Sequence, residues 1–456
     1  MTVDEAQGYA LSRLSGGAAR ADIRMLGGNL DGPRVVWVAF EAKDDPVPLG
    51  SSTSAQFELA ARTARQERLP LVGVLSTAGA DINEGISALH GMGRIAAELT
   101  ACSGLVPTVL IVNGPAVAGP ALALGIADIV IMTEASRAFV NGPVMVEQFT
   151  GVEIDQDELG GAANLARYTG VPTMVVKDLD EAVDVAADIL TYLAPHVDAI
   201  PGLVAVDDPA DRACPEAGEL IPASSTGSYD VRGVAEAIVD DSSFLEVRER
   251  WATNVVTAFA TVGGRPIGIV ANQPLSLAGT LDIPASQKAA RFVAMCDAFN
   301  LPILTLVDTP GFYPGKDLEW RGMIRHGAQL VYSYARASVP RICVILRKSY
   351  GGAYIVMDSK TMGNDLCLAW PWAEIAVMGA GQAAAILARR ADEAERAAFE
   401  ADYADRLLNP YVAAERGFID AVIDPADTRS EVAAALATFA AKREVLGERK
   451  HGNTPL

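Results

Sequence analysis

The stretch Val339–Met357, VPRICVILRKSYGGAYIVM, decides the fold. Its apolar, mostly β-branched run Ile342–Leu346 predicts a buried strand, which two positive charges end. Gly351 and Gly352 then permit a tight turn, and Ala353 can enter a helix. Such a turn leaves backbone N–H groups without partners in the helix, and donors of this kind can hold a developing negative charge. Glycines that serve only the packing of a strand–helix connection are the alternative at this point.

The composition is that of a globular protein with two or more domains. A chain of 456 residues is too long for one ordinary hydrophobic core. Hydrophobic residues make up 50% and aromatic residues only 6%, which suits tightly packed α/β layers. The net charge of −20 argues against nucleic acid as a partner. It leaves an anionic substrate open, because a local cationic site can lie on an acidic protein.

Cysteine usage and the N-terminus predict a cytoplasmic chain. The five cysteines are odd in number and none has Cys-x-x-Cys spacing, so we expect free thiols in a reducing compartment and no zinc site. The first 14 residues contain no apolar signal core. The longest apolar stretches are too short or too broken by Pro and Gly to span a membrane.

Strands and helices alternate along the chain, which predicts an α/β fold, and the pattern occurs twice. Leu69–Gly79 resembles Leu301–Gly311 at an offset of 232, and the strand after Val106 resembles the strand after Val339 at an offset of 233. Two further landmarks repeat at offsets near 237 and 229. A near-constant offset indicates an internal duplication.

The domain boundaries follow from a segment rich in Pro, Asp, Ala and Ser between the two halves. We predict a first domain at residues 1–200, a linker at 201–240 and a second domain at 241–456.

In the first half we predict four strands, three helices and one loop-rich segment. The strands are at Arg34–Phe40, Leu69–Leu75, Val106–Val112 and Ala127–Met132. The helices are at Ala55–Glu67, Ile86–Ala101 and Glu181–Leu193, and the loop-rich segment is at Glu147–Gly170.

Side chains suited to acid–base or metal chemistry are scarce. The four histidines, none in a spacing that indicates a metal site or a Ser–His pair, are His90, His196, His326 and His451. No P-loop sequence is present. Each half does carry a glycine turn after an apolar strand, at 114–119 and at 351–353. Chemistry would therefore rely on backbone donors and on a group brought by the substrate or cofactor, and stabilising an enolate suits two oxyanion holes.

Several long stretches of the second half carry a specific pattern. They are GRPIGIVANQPLSLAGTLDIPASQKAARFVAMCDAFNLPILTLVDTPGFYPG (264–315), IRHGAQLVYSYARASVP (324–340), RKSYGGAYIVM (347–357), LAWPWAEIAVMGA (368–380), LLNPYVAAERGFIDAVI (407–423) and the tail KHGNTPL. They closely resemble the carboxyltransferase (β) subunit of biotin-dependent acyl-CoA carboxylases of the propionyl-CoA and acetyl-CoA carboxylase type. The resemblance covers roughly residues 30 to 456.

This resemblance implies two tandem crotonase-like (ββα spiral) domains, the first for an acyl-CoA and the second for biotin carried by a partner. That partner would be the biotin carboxylase/biotin carboxyl carrier (α) subunit. The active site would form between the first domain of one chain and the second of another, in a dimer at least and typically a hexamer. Carboxybiotin would lose CO2, the ureido nitrogen would remove the substrate α-proton, and the thioester enolate would attack CO2. No metal is implied.

The resemblance also implies roles for individual residues. Gly352 and Ala353 would donate N–H groups to the biotin ureido oxygen, and Ala118 and Gly119 would do so for the acyl thioester. The other biotin-side positions are Gly311, Phe312, Gly351, Tyr354, Gly379 and Ala380. The acyl-substrate positions are Ile355, Gly79, Ala80 and Gly142. An apolar Ile355 favours a pocket for a short alkyl chain.

The first half departs from the family pattern where the family handles CoA. Asp81 stands where the family has Arg, which reverses a charge near an expected anionic ligand. Ala118 replaces the first glycine of a pair, and Pro120, which has no N–H, follows the pair. Leu165 replaces a histidine.

Several functions stay open on these grounds. The chain could carboxylate an unusual acyl-CoA or carrier-bound acyl group, carboxylate an ordinary short acyl-CoA, or assemble as a non-catalytic paralogue with an active β subunit. A biotin-linked decarboxylase or transcarboxylase would use the reverse half-reaction on the same scaffold. A simple crotonase hydratase is less favoured, because it needs a pair of acidic side chains and Glu84 has no evident partner.

Overall fold

The computed structural model describes residues 10–12, 19–26, 32–40, 46–442, 444, 447 and 452–455. The N-terminal segment and the KHGNTPL tail used in the sequence analysis therefore lie partly outside the described residues. The chain divides into two compact units, one of residues 1–202 with 298–300 and one of residues 203–297 with 301–456. In the described ranges, no helix has both the length and the apolar character needed to cross a membrane.

The described part of the first unit has one sheet in the order β1-β2-β3-β4-β5-β6-β8, with β7 paired to β5. The strands are β1 Ala10–Ser12, β2 Ala19–Met25, β3 Arg34–Phe40, β4 Leu71–Thr77, β5 Thr108–Val117, β6 Ile129–Thr133, β7 Arg137–Phe139 and β8 Met174–Val176. The ladders from β3 to β6 are parallel, and these strands are buried, as their continuous apolar runs require. The four strands predicted in this half are confirmed. Strand β5 runs beyond its predicted end because Pro115–Val117 pair with β7.

The helices of the first unit cover its sheet. They are α1 Ser51–Glu67, α2 Ile86–Cys102, α3 Gly119–Ile126, α4 Pro143–Thr150, α5 Gln156–Gly160, α6 Ala162–Tyr168 and α7 Leu179–Tyr192, with a 3₁₀ turn at Ile82–Glu84. The three predicted helices are confirmed. The prediction of a loop-rich Glu147–Gly170 is wrong, because α5 and α6 form there. Asp155 begins α5 by accepting a hydrogen bond from the N–H of Glu158 at 2.7 Å.

The second unit has a sheet in the order β16-β14-β13-β12-β11-β10-β9, with β15 paired to β13. Its strands are β9 Leu245–Val247, β10 Val255–Val262, β11 Arg265–Asn272, β12 Ile303–Thr309, β13 Arg341–Tyr350, β14 Leu366–Ala369, β15 Glu374–Ala376 and β16 Ala421–Val422. Its helices are α8 Pro215–Glu219, α9 Val231–Ile238, α10 Ile283–Ala298, α11 Lys316–Trp320, α12 Met323–Arg336, α13 Gly351–Val356, α14 Ala380–Leu387, α15 Glu393–Tyr403, α16 Pro410–Glu415 and α17 Thr428–Thr438. Short 3₁₀ turns lie at Leu277–Gly279, Lys360–Met362 and Pro425–Asp427, and a π-helical turn lies at Ala404–Leu408.

The two sheets repeat each other strand by strand, so the predicted internal duplication is confirmed. Strands β3 to β8 occupy the places that β11 to β16 occupy in the second sheet. Leu71 pairs with Thr108 in the first unit, and Ile303 pairs with Arg341 in the second. Both ladders also shift register just before their last pair, at the same distance from the strand start.

The segment 201–240, which the sequence indicates as a linker, is folded. From residue 203 onward it is part of the second unit, where it supplies α8 and α9. Ala217, Tyr229, Val231 and Ile238 are buried among the strands of that unit. The buried residues of α9 recur at helical spacing, a signal that the high Pro and Asp content of the segment concealed.

Candidate active site

The turn between β13 and α13 presents backbone donors in the second unit. Gly351 has φ +57, a conformation that favours glycine, and α13 begins there. The N–H groups of Gly352 and Ala353 lie in the first turn of α13, where a helix supplies no partner for them. The Ala353 side chain is buried, so it anchors the turn in the core.

A second turn, after β12, lies against the first. Gly311 has φ +139. A Cβ atom added to Gly352 would lie 3.3 Å from the ring of Phe312, and one added to Gly379 would lie 3.2 Å from the ring of Tyr350. Gly379 is also the residue from which α14 starts, immediately before Ala380. The structure thus brings the biotin-side positions of the sequence analysis together in one unit.

Two cavities adjoin α13, and both are lined by Gly352 and Ile355. The larger has a volume of about 560 Å³, with Tyr354, Ile375, Tyr403, Arg416 and Phe418 among its lining residues. The smaller has a volume of about 410 Å³, with Phe312, Met323, Ile324 and Gly327 in its lining. Ligand sites are typically apolar cavities of this size that contain a few polar groups.

A buried ion pair joins the two turns. Asp308, at the end of β12, accepts hydrogen bonds at Oδ2 from Arg347 Nε at 3.0 Å and from the Tyr229 hydroxyl at 2.8 Å. Its Oδ1 accepts from the N–H of Lys348 at 3.2 Å. Burial raises the pKa of Tyr229, so its hydroxyl keeps the proton that it donates. These contacts fix the position of the β13 end relative to the β12 end.

The first unit repeats the turn with different residues. Ala118 has φ +60, close to the value of Gly351, and immediately precedes α3. Its N–H donates to the carbonyl oxygen of Phe139 at 2.9 Å. This corrects its assignment as an oxyanion donor, because the group is already bonded. Pro120 has no N–H, so Gly119 is the residue of the predicted pair whose N–H lies in the first turn of α3.

The remaining acyl-side positions fall in both units. Gly79 has φ +105, and a Cβ atom there would lie 3.3 Å from the carbonyl oxygen of Val117, so the turn of Gly79 and Ala80 adjoins the start of α3. Gly142 precedes α4. Ile355 lies in the second unit, on α13.

Two acidic residues of the first unit have local roles. Asp81 Oδ1 accepts a hydrogen bond from the N–H of Asn83 at 2.9 Å and so begins a 3₁₀ turn. Glu84 Oε2 accepts from the N–H and the hydroxyl of Ser51, at 2.6 and 2.5 Å, and so caps the start of α1. A capping role for Glu84 is unlike that of a free catalytic acid in a hydratase.

The sequence alone does not indicate the contacts of Asp308, Arg347 and Tyr229, or the place of Arg416 in the lining of the larger cavity. One signal for the pair of Asp308 and Arg347 is present in the sequence, because two opposite charges stand at the ends of neighbouring predicted strands. Tyr229 lies inside the predicted linker 201–240, and Arg416 has no local signal beyond its place in the resemblance. Over the described ranges, no group of three or more His, Cys, Asp or Glu side chains is placed to hold a metal ion.

A duplicated fold with a donor turn at the same place in each unit defines a crotonase-like carboxyl transferase. The chain belongs to the family described as "Carboxyl transferase domain", which matches residues 19–454.

Individual relatives agree with this assignment. The chain is 45% identical to the propionyl-CoA carboxylase beta chain of Saccharopolyspora erythraea, over 85% of this chain and 74% of that protein. It is 42% identical to the methylmalonyl-CoA carboxyltransferase 12S subunit of Propionibacterium freudenreichii subsp. shermanii, over 91% and 80%. It is 39% identical to the methylmalonyl-CoA decarboxylase subunit alpha of Veillonella parvula, over 94% and 84%.

A solved structure of transcarboxylase 12S, with hydrolysed methylmalonyl-coenzyme A bound, has a TM-score of 0.92 to this chain at 39% identity. The match covers 96% of this chain and 85% of that one. The predicted fold, two tandem crotonase-like domains, is confirmed.

Proposed function

We propose that the chain is the carboxyltransferase subunit of a biotin-dependent acyl-CoA carboxylase. It moves a carboxyl group from carboxybiotin on a partner protein to the α carbon of an acyl-CoA. The observation that carries the proposal is the donor turn of Gly352 between two apolar cavities, in a chain 39–45% identical to carboxylase, carboxyltransferase and decarboxylase subunits.

The residues of the chain act by holding negative charge. The N–H groups of Gly352 and Ala353 stabilise the ureido oxygen of biotin, and that of Gly119 stabilises the thioester oxygen of the acyl-CoA. Removing one such donor typically costs a factor of about 10²–10³ in kcat. Biotin, when bound, supplies the nitrogen that takes the substrate α-proton, so the chain needs no side-chain base for that step.

The proposal extends to the partner subunit, the oligomeric state and the cellular compartment. The partner is a biotin carboxylase/biotin carboxyl carrier (α) subunit, and the chain forms a homo-oligomer, at least a dimer and a hexamer by analogy with transcarboxylase 12S, whose structure is described as a hexamer assembly. Exposed apolar side chains in the second unit, such as Trp320 and Ile324, support self-association. The five cysteines are free and buried, which supports the cytoplasm as its compartment.

The acyl acceptor is a short-chain or unusual acyl-CoA. Ile355 contributes an apolar surface to both cavities, as an alkyl group requires. Asp81 and Pro120 mark the first unit as different from the family pattern and favour an acceptor other than the common ones. The decarboxylase direction has one specific support, the relative from Veillonella parvula.

The test is a carboxylation assay with the purified chain, its biotin-carrying partner, ATP, labelled bicarbonate and a panel of acyl-CoAs. We expect label in at least one acyl-CoA. A chain that forms its normal oligomer yet labels no member of the panel would contradict the proposal. Release of CO2 from malonyl-CoA or methylmalonyl-CoA without ATP would instead identify a decarboxylase.

A further inference from the structure

The larger cavity beside α13 carries charge at one place. Among the described residues that line it, Arg416 is the one charged side chain, and the walls are mainly apolar, with Ile375, Val377 and Leu407 among them. The same cavity reaches the backbone of Gly352. A ligand that suits it has an apolar body, an oxyanion for the N–H of Gly352 and a separate negative charge for Arg416.

The local structure directs Arg416 to this cavity. Asn409 begins α16 by accepting a hydrogen bond from the N–H of Val412 at 3.0 Å. The helix ends at Glu415, Arg416 caps it, and Gly417, with φ +72, follows. Both Val412 and Arg416 line the cavity, so one face of this short helix forms part of its wall.

The guanidinium of Arg416 is available to a ligand. No carboxylate of the described chain forms an ion pair with it, and it is exposed. Two carboxylates on segments near α16 form hydrogen bonds with other residues. Glu374, on β15, accepts a hydrogen bond from the Tyr350 hydroxyl. Asp420, which follows α16, accepts from Lys360 and from the N–H of Cys367.

We propose that Arg416 binds the carboxylate of N1-carboxybiotin while the N–H of Gly352 faces its ureido oxygen. The inference rests on the proposed function. It identifies the residue of the second unit that distinguishes carboxybiotin from biotin. N1-carboxybiotin linked to its carrier through an amide of the valeryl carboxyl has the required combination, namely an apolar bicycle, a ureido oxygen and one carboxylate, on N1. Guanidinium and carboxylate also match each other in geometry.

The reaction moves the negative charge from the N1-carboxylate to the ureido group of biotin. When the bond between N1 and the carboxyl carbon breaks, CO2 leaves without charge and the electron pair stays on the ureido group, where the donors of Gly352 and Ala353 stabilise it. Transfer of the substrate α-proton to N1 would then neutralise that group, and the enolate carbon left behind would form its new bond to the released CO2. Carrier-linked biotin without the N1-carboxyl group has no carboxylate for Arg416, and this favours the release of biotin from the cavity.

The experiment compares binding of two probes to the full-length chain. One is N1-carboxybiotin with its valeryl carboxyl group as a methyl ester, so that the N1-carboxylate is its single charge. The other is the neutral analogue in which the N1-carboxyl group is a methyl ester as well. Hydrogen bonds to charged groups contribute about 1.5–3 kcal/mol, so we expect the wild type to prefer the charged probe by about 10- to 100-fold. Arg416→Gln should bind both probes equally, and Arg416→Lys should keep part of the preference.

Controls separate the possible failures. Arg396→Gln changes an exposed arginine on α15 that does not line the cavity, and should behave as the wild type. A preference retained in Arg416→Gln, or absent from the wild type while both probes bind, would overturn the inference and leave the proposed function standing. Wild-type chain that is folded by circular dichroism yet binds neither probe would refute the biotin side of the proposed function, and the inference with it.

A second ligand tests the other source of carboxylate. The carboxylated product, such as malonyl-CoA or methylmalonyl-CoA, also carries this group. We expect its affinity to be unchanged in Arg416→Gln. A loss of affinity for the product, with the charged biotin probe unaffected, would assign Arg416 to the product and overturn the inference.

Discussion

At the scale of single residues, Asp308 and Arg347 form an ion pair that one unit has and the other lacks. Their side chains are almost fully buried, and Arg347 Nη1 also donates to the carbonyl oxygen of Gly227 at 2.8 Å. The equivalent positions of the first unit, 232 and 233 residues earlier, are Ser76 and Gly114. Buried ion pairs often add little net stability, so we infer that this one serves to position the Gly352 turn.

Removal of Arg347 should be costly because it leaves the Asp308 carboxylate buried without its partner. We expect Arg347→Met to lower the free energy of unfolding by about 3–5 kcal/mol. Tyr229→Phe removes one hydrogen bond and should cost about 1 kcal/mol. Urea unfolding measures both values, and Arg390→Met at an exposed position is the control. An Arg347→Met variant no less stable than Tyr229→Phe would contradict this role.

Lys288 gives the second unit a pH-dependent stability. Its Nζ donates to the carbonyl oxygens of Trp251 and Val255, at 2.9 and 2.7 Å, and burial lowers the pKa of this lysine to about 7. An unfolded lysine has a pKa of about 10.4. Between these values the unfolded chain binds the extra proton, so the contribution of Lys288 to the free energy of unfolding rises with pH.

The matched reference is Lys288→Met, which cannot titrate. We expect the stability of the wild type relative to this variant to increase from pH 7 to pH 9, measured by urea unfolding at each pH. A difference that stays constant across that range would show that the pKa of Lys288 is not lowered in the folded chain.

At the scale of elements, the turns that lead into α3 and α13 share a positive φ at equivalent residues and differ in sequence. Gly351 adopts φ +57 without strain, whereas Ala118 adopts φ +60 with its Cβ atom in place. The strain at Ala118 is retained because the N–H of this residue closes the β5–β7 ladder at Phe139.

Ala118→Gly should therefore stabilise the first unit. Ala118 has φ +60 and ψ −121, a sparsely populated conformation outside the left-handed helical region, and relief of this strain stabilises the folded chain by about 1–3 kcal/mol. The greater conformational freedom of glycine in the unfolded chain offsets about 0.5–1 kcal/mol of that gain. We expect a net gain of about 1 kcal/mol in thermal or urea unfolding. Ala116→Gly, at a buried position in β5, is the control and should destabilise. A loss of stability in Ala118→Gly would show that the turn is not strained.

The elements were predictable where one signal dominated. Buried parallel strands such as β3 and β12 are continuous apolar runs, so the sequence alone locates them. Helices α5 and α6 are too short to show a clear period. The end of β5 depends on pairing with β7, which no local pattern records. The composition of the segment 201–240 predicts a linker, whereas its apolar residues enter the core of the second unit.

At the scale of the whole molecule, the duplication gives each unit the same framework and leaves the turns free to differ. The second unit has donors at Gly352 and Ala353, the buried pair of Asp308 and Arg347, and a cavity with Arg416. The first unit has one N–H, at Gly119, in the equivalent turn. The donor turns could be predicted from glycine spacing and the resemblance. Arg416 could not, because only the fold brings α16 to the cavity beside α13.

The most direct test of the central claim is the kcat of carboxyl transfer in Gly352→Val, measured with labelled bicarbonate and the biotin-carrying partner. A side chain at this position meets the ring of Phe312, since a Cβ atom would lie 3.3 Å from it, and so displaces the donor turn. Gly381→Val is the control, because a Cβ atom there meets nothing within 4 Å. We predict that kcat falls by about 100-fold in Gly352→Val, with the oligomer intact, and stays near the wild-type value in the control. Equal kcat in Gly352→Val and wild type would contradict the account.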